Sequence, residues 1–107
     1  MKKDILKSVM KLAWQFVKRN GFSMSAALKA AWANAKLKAQ MKKGIVRFYF
    51  RKVNGSIREA WGTLNENIMP VIQGNGRAKN DTIQVYYDTE VESYRSFKKA
   101  NLIGMAL

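Results

Sequence analysis

Hydrophobic residues recur every three or four positions through the first 43 residues of the chain, which is the spacing of helices with one buried face. Residues 3–19 form the first predicted helix, and Asn20-Gly21 ends it because glycine accepts the left-handed conformation of a C-terminal cap. Ser23 is a typical N-cap for a second helix, which runs to about Lys43 and stops at Gly44. The pattern therefore predicts two consecutive helices joined by a short turn.

From Gly44 onward the period of the hydrophobic pattern changes from 3.6 to 2, the period of β-strands. Residues 45–53 and 56–64 are predicted to be two strands, because they are rich in β-branched and aromatic residues. Asn54-Gly55 between them is the sequence most typical of a two-residue hairpin turn. Such a turn sets the register of the hairpin and places Phe48 opposite Trp61.

This register assigns the residues of the hairpin to two faces. The expected core face holds Val46, Phe48, Phe50, Ile57 and Trp61, and the other face holds Arg47, Tyr49, Arg51, Arg58 and Ala60. Arg51 would then lie directly opposite Arg58, and like charges in that position destabilise a sheet. An anion between them, or an acid such as Glu90 or Glu92 from elsewhere in the chain, would relieve the repulsion.

Three further short strands are predicted towards the C-terminus, over residues 82–87, 94–97 and 102–105. Residues 65–80 are expected to form a loop, since Pro70, Gly74 and Gly76 break regular structure. The segment 73–79 in this loop contains glycines and cations but lacks the spacing of a phosphate-binding P-loop, so a turn is expected there. Short strands joined by tight turns predict a small barrel or a strongly curled sheet.

The positive charge of the chain is concentrated in its first part. Residues 1–43 carry eleven Lys/Arg against one acid, whereas residues 44–107 carry nine against six, within a formal net charge of +13. A charge of this size attracts polyanions, so nucleic acid, either DNA or RNA, is the partner class we expect. The helical lysines fall into two rows, Lys3, Lys7, Lys11 and Lys18 in the first helix and Lys29, Lys36 and Lys43 in the second. These rows either are solvated faces that maintain solubility or form a cationic surface on one side of the two helices.

The composition excludes several kinds of site. The chain has no Cys and no His, which removes disulfides, Cys/His zinc sites, thiol nucleophiles and imidazole bases. Its seven acids are scattered, so we expect no enzymatic activity, no metal and no cofactor. Lysines interrupt the apolar residues near the N-terminus, and no stretch reaches the roughly 20 apolar residues of a membrane span. We therefore expect a cytoplasmic protein with no membrane partner.

Short motifs in the second part of the chain resemble a known family. They are Arg58-Glu59-Ala60, Gly62-Thr63-Leu64-Asn65, Tyr86-Tyr87-Asp88, Tyr94-Arg95-Ser96-Phe97-Lys98 and Leu102-Ile103. Over residues 44–105 the chain resembles the WYL-type SH3-like (Sm-like) small β-barrels, in particular a family of bacterial and phage proteins described as SH3 β-barrel fold-containing. With the helices, this resemblance implies an α+β fold. We expect an N-terminal helical hairpin, residues 1–43, followed by a small antiparallel SH3-like (Sm-like) β-barrel, residues 44–107, with the two forming one compact unit.

The resemblance also implies a function. In the larger WYL group the barrel is a regulatory module that binds nucleic acid or a nucleotide-like ligand, and the resemblance places Arg58 and Arg95 at an anion site. A linear Trp-Tyr-Leu triplet and the N-terminal winged helix of WYL transcription regulators are absent here, which argues against direct operator binding. The helical first part resembles the leader found before some of these barrels in phage and mobile-element proteins.

We therefore expect a small basic accessory protein, of the phage or mobile-element type, that binds nucleic acid mainly through phosphates. Tyr49 among Arg47, Arg51 and Arg58 would provide an aromatic ring beside phosphate-binding guanidinium groups. The candidate residues are Arg47, Tyr49, Arg51, Arg58, Arg95, Arg77, Lys79, Lys29, Lys36 and Lys43. The alternative is a module that binds a nucleotide ligand or inhibits a host protein, for example an anti-defence protein, through the same basic surface.

Overall fold

The computed structural model describes residues 2–70 and 82–106 of the chain. Two helices come first, α1 over Lys2–Asn20 and α2 over Met24–Lys43. Five strands follow, namely β1 Val46–Arg51, β2 Ile57–Thr63, β3 Ile83–Asp88, β4 Ser93–Lys98 and β5 Leu102–Met105, with a short 3₁₀ helix over Lys99–Asn101 before β5. The predicted order of a helical hairpin followed by antiparallel strands is confirmed, whereas the predicted turn at 73–79 lies outside the described residues.

The two helices pack against each other through small side chains. Ala13 of α1 and Ala27 and Ala31 of α2 are fully buried between them, so the helix axes can approach closely. The turn has the predicted chemistry: Gly21 has a positive φ of 71°, and Ser23 Oγ accepts a hydrogen bond from Ala26 N at 3.2 Å. The end of α1 and the start of α2 are therefore determined by residues in the turn itself.

The strands form one antiparallel sheet in the order β4-β3-β2-β1-β5. In a flat sheet the three steps from β4 to β1 would separate their side chains by about 14 Å. The ring of Phe97 on β4 nevertheless stacks on Phe50 of β1 with 5.3 Å between centroids. The sheet is therefore strongly curled, as the predicted barrel requires.

The hairpin and the barrel share a core. Leu37 and Met41 of α2 are buried with Phe48 and Tyr86 on the inner face of the sheet. The end of β2 is tied to the end of α2, because Thr63 Oγ1 lies 2.8 Å from Gly44 O, to which it can donate its one proton, and 3.1 Å from Met41 O. Helix α2 is thus a structural part of the barrel, and α1 packs mainly on α2.

The register of the β1–β2 hairpin differs by one residue from the predicted register. Phe48 faces Ala60 rather than Trp61, and Phe50 faces Arg58. The reason is the turn, which has three loop residues, since Lys52 N donates to Ser56 O at 2.7 Å and Gly55 N donates to Lys52 O at 2.9 Å. Gly55 takes a positive φ of 92° at the last loop position. Asn-Gly therefore serves here in a three-residue loop instead of the predicted two-residue turn.

The register moves several side chains to the other face. Ala60 is buried in the core, whereas Ile57 is exposed and Trp61 is only half-buried opposite Arg47. The predicted core positions of Ile57 and Trp61 are therefore wrong, while those of Val46, Phe48 and Phe50 are confirmed. The predicted opposition of two arginines is also wrong, because Arg51 faces Ile57. Arg58 lies instead on the inner face of the sheet.

Candidate anion-binding cavity

A cavity of about 320 Å³ lies between the β1–β2 hairpin and strands β3 and β4. Five cationic residues line it, Arg51, Lys52, Arg58, Arg95 and Lys98, together with the buried ring of Tyr86. Among the described residues, the lining of this cavity contains no Asp or Glu, and one of its cations, Arg58, is paired with Asp88 outside the lining. The cavity therefore concentrates positive charge in a concave site, where it attracts anions more strongly than on an open surface.

The pairing of the strands brings these side chains together. Arg58 faces the buried Phe50, and Tyr86 faces Arg95, so all four point to the inner face. Gly62 allows the close approach of β3, since a Cβ atom there would lie 2.6 Å from Tyr86 Cδ2. A larger residue at this position would displace the tyrosine ring from the cavity.

Arg58 is held by a buried acid on the next strand. Its Nη2 atom lies 3.3 Å from Oδ2 of Asp88, a side chain that is 1% exposed. The second oxygen, Oδ1, accepts hydrogen bonds from Glu90 N at 2.9 Å and Val91 N at 3.3 Å. The acid that accompanies Arg58 is therefore Asp88 rather than the expected Glu90 or Glu92. Asp88 both organises the β3–β4 turn and positions the guanidinium.

Two buried polar atoms of this site, Arg58 Nε and Tyr86 Oη, have no hydrogen-bond partner among the described residues. A buried donor without a partner costs about 1–3 kcal/mol, and native proteins contain few of them. Arg58 Nε is a donor, whereas the protonated hydroxyl of Tyr86 can both donate and accept. An anion in the cavity would supply oxygens that accept from such donors.

Tyr86 is protonated at neutral pH. Burial raises the pKa of its hydroxyl, the nearby Asp88 raises it further, and Arg58 and Arg95 oppose this with a smaller effect. The phenol therefore remains an O–H donor, and the cavity offers N–H and O–H groups to an anion rather than a competing phenolate.

Arg47 and Tyr49 lie on the outer face of the sheet and do not line this cavity. Tyr49 Oη donates to Glu59 Oε2 at 2.8 Å, and Arg47 Nε lies 3.7 Å from the same oxygen. The hydrogen bond to Glu59 is the main cause of the raised pKa of Tyr49. The predicted grouping of Tyr49 with Arg58 on one face is wrong, because the register places the two on opposite faces.

The remaining candidates fall into three groups. Arg51 lines the cavity at the hairpin end, where its Nη1 atom donates to Gly55 O at 2.9 Å. The α2 lysines, Lys29, Lys36 and Lys43, are exposed and do not line the cavity. Arg77 and Lys79 lie outside the described residues.

The residues predicted from the sequence for this site did not include Tyr86, Asp88, Lys52 or Lys98. Tyr86 and Asp88 alternate along one strand, which puts both on the same face. An acid at a core-facing position of a strand is a signal that a buried cation lies nearby, because a lone charge is rarely buried. That signal identifies Asp88, but not its partner.

The described residues also limit the kinds of site that the fold contains. Within residues 2–70 and 82–106, no group of three or more acidic side chains is placed to hold a metal ion. In the same part of the chain, neither helix is long and apolar enough to cross a membrane.

Comparison with known proteins identifies the barrel. The family model described as WYL_2, Sm-like SH3 beta-barrel fold, matches residues 34–103, from the middle of α2 to the start of β5. No curated protein and no solved structure matches the chain at a significant level. The family and fold that the sequence motifs indicated are confirmed.

Proposed function

The chain belongs to the WYL_2 family of the Sm-like SH3 β-barrel fold, and we propose that its barrel binds nucleic acid through backbone phosphates. The observation that carries the proposal is the cavity lined by five cationic residues, with Arg58 and Arg95 both on the inner face of the sheet. Phosphate oxygens in this cavity would accept charge-assisted hydrogen bonds from the guanidinium and ammonium groups, and such bonds are stronger than those between neutral groups.

The charges around the cavity support a phosphate as the bound group. Within the described residues, Lys52, Arg95 and Lys98 form no salt bridge, so their charges are available to a ligand. A guanidinium can grip a phosphate with two parallel N–H groups, and this fits tetrahedral oxyanions. The net charge of +13 adds a long-range field that steers a polyanion to the protein.

Phosphate contacts fix position and carry little information about base sequence. We therefore propose backbone binding without sequence readout, by a small accessory or regulatory protein of the phage or mobile-element type. It would act in the cytoplasm and would have no catalytic activity of its own.

A discrete nucleotide ligand is the second candidate, and the concave shape of the cavity favours it. The two functions differ in what copurifies with the protein. Nucleic acid would raise the 260/280 nm absorbance ratio until high salt removes it, whereas a nucleotide would be released as one small molecule on denaturation.

The experiment compares two variants that each remove one positive charge, Arg95→Ala in the cavity and Lys43→Ala at the exposed end of α2. Binding to a labelled oligonucleotide is measured by fluorescence anisotropy, and a thermal melt confirms that each variant is folded. We expect Arg95→Ala to weaken binding about tenfold and Lys43→Ala less than about twofold. Equal losses would place the binding site elsewhere on the basic surface.

A further inference from the structure

The helical hairpin carries an apolar face that no other part of the described chain covers. On α1, Leu6, Met10 and Trp14 are 50%, 37% and 49% exposed and follow one another at four-residue spacing, which puts them on one stripe. On α2, Trp32 is 40% exposed and lies four residues after the half-buried Leu28. These five residues are called the tryptophan face below.

Both stripes lie on the side of the hairpin that points away from the barrel. Leu12 of α1 and Asn34 of α2 line a cavity with Gln84 of the barrel, and Asn34 Nδ2 donates to Lys99 O at 2.9 Å. Residues two apart in a helix point in nearly opposite directions. Trp14 and Trp32, each two positions from one of these, therefore point away from the barrel together.

Lysines flank both indoles. Trp14 is three or four residues from Lys11 and Lys18, and Trp32 is three or four residues from Lys29 and Lys36, so each ring has cations beside it on the helix surface. All four lysines are exposed. Helix α2 has no acid, and Asp4 is the one acid of α1. A ligand that fits this face must carry anionic groups for the lysines and a flat or apolar surface for the indole rings.

We propose that the tryptophan face binds single-stranded nucleic acid, with unpaired bases stacked on Trp14 and Trp32 and phosphates beside the lysines. This inference rests on the proposed function and adds the strand state of the ligand. The faces of bases inside a duplex are covered by their neighbours, so an exposed indole can stack only on unpaired bases. The barrel cavity binds a phosphate of either duplex or single-stranded nucleic acid. The tryptophan face adds affinity for the single strand alone.

The charges of the face also oppose self-association. A second copy of the chain docked on it would bring its lysine rows against those of the first, in a protein of net charge +13. A single strand instead neutralises the lysines while covering the rings.

The experiment uses a Trp61→Phe background, in which Trp14 and Trp32 are the two remaining tryptophans of three. The probes are a thymidine oligonucleotide of about 20 nucleotides, long enough to span several stacking sites, and a duplex of the same length. We expect the single strand to quench indole fluorescence and to bind about tenfold more tightly than the duplex at matched salt.

Variants then separate stacking from charge. In the wild-type background, Trp14→Ala with Trp32→Ala should weaken single-strand binding about tenfold and change duplex binding less than about twofold. Trp14→Phe with Trp32→Phe keeps an aromatic ring at both positions and should retain most of the affinity. Ile45→Ala is the matched apolar control, since Ile45 is 52% exposed and lies in neither the tryptophan face nor the barrel cavity, and it should change neither affinity.

The outcomes distinguish this inference from the proposed function. If nucleic acid binds but the paired alanine variant binds the single strand as tightly as wild type, the inference is wrong and the proposed function stands. If neither probe binds at low salt, both are wrong. If vesicles containing anionic phospholipid quench the indoles and the oligonucleotide does not, the tryptophan face is a lipid-binding surface and the inference is overturned.

Discussion

Arg58 and Asp88 meet on the inner face of the barrel, with 3.3 Å between Nη2 and Oδ2, while Nε of the same guanidinium has no hydrogen-bond partner among the described residues. The carboxylate also holds the β3–β4 turn through Glu90 N and Val91 N. Arg58 is thus fixed by one nitrogen and retains a second as a donor. In a binding site we expect such a side chain, which makes one structural contact and keeps another polar atom without a protein partner.

Asp88→Asn separates positioning from net charge. Removal of an acid makes the protein more positive, so simple attraction predicts tighter binding of nucleic acid. We expect the opposite, a loss of about fivefold in affinity, because Arg58 is no longer held in place. The free energy of unfolding in urea should fall by about 2 kcal/mol. Tighter binding by the variant would show that Asp88 does not position the guanidinium.

Tyr86→Phe should affect stability and binding in opposite directions. The hydroxyl is buried and makes no hydrogen bond of good geometry among the described residues, so its removal should leave stability unchanged or raise it by about 1 kcal/mol. The same change removes a donor to the anion and should weaken binding by about threefold or more. Urea denaturation and anisotropy measure the two effects. A variant that loses stability and keeps full affinity would indicate a purely structural hydroxyl.

The pH dependence of stability follows from the same residue. Burial, with Asp88 adding to it, raises the pKa of Tyr86 above its ordinary value of 10.0. As the pH rises past that value, the unfolded chain ionises this phenol before the folded protein does. Ionisation of this phenol therefore does not affect the free energy of unfolding below about pH 10, and that free energy falls as the pH rises from there through the folded-state pKa. Relative to Tyr86→Phe, the wild type should lose stability in that range, and a constant difference would contradict the shift.

Phe48→Ala should destabilise the fold more than Trp61→Ala does. Phe48 is fully buried and contacts Tyr86 and Phe97, so its truncation should cost about 3–5 kcal/mol. Trp61 is half-buried on the outer face and its truncation leaves no enclosed cavity, so the cost should be smaller. Urea denaturation of both variants measures the difference. A larger loss for Trp61→Ala would restore the register predicted from the sequence.

Most of the fold could be predicted from the sequence, because the period of the hydrophobic pattern reports which face of each element is buried. The change of period at Gly44 located the boundary between helices and strands. The register could not be predicted, since Asn54-Gly55 fits a two-residue turn and the end of a three-residue loop equally well. The two loops differ by one residue, and that difference moves Arg58 between the faces of the sheet.

The site was less predictable than the fold, because the residues that form it are far apart in the sequence. The resemblance implied Arg58 and Arg95, and the structure places both at one cavity. The contribution of Tyr86 depends on the curl of the sheet and on the missing side chain at Gly62, which are long-range properties. The local pattern of hydrophobic and polar residues cannot predict such long-range properties.

The central claim is that phosphates bind in the cavity, and a salt titration of binding tests it most directly. The affinity of wild type and of Arg95→Ala for a labelled oligonucleotide is measured by anisotropy over a range of salt concentrations. Phosphate binding releases counterions, so the logarithm of the wild-type affinity should fall linearly and steeply with the logarithm of the salt concentration. Arg95→Ala should reduce that slope by about one, since one phosphate contact is lost. Absence of binding at low salt, or an affinity independent of salt, would contradict the proposed function.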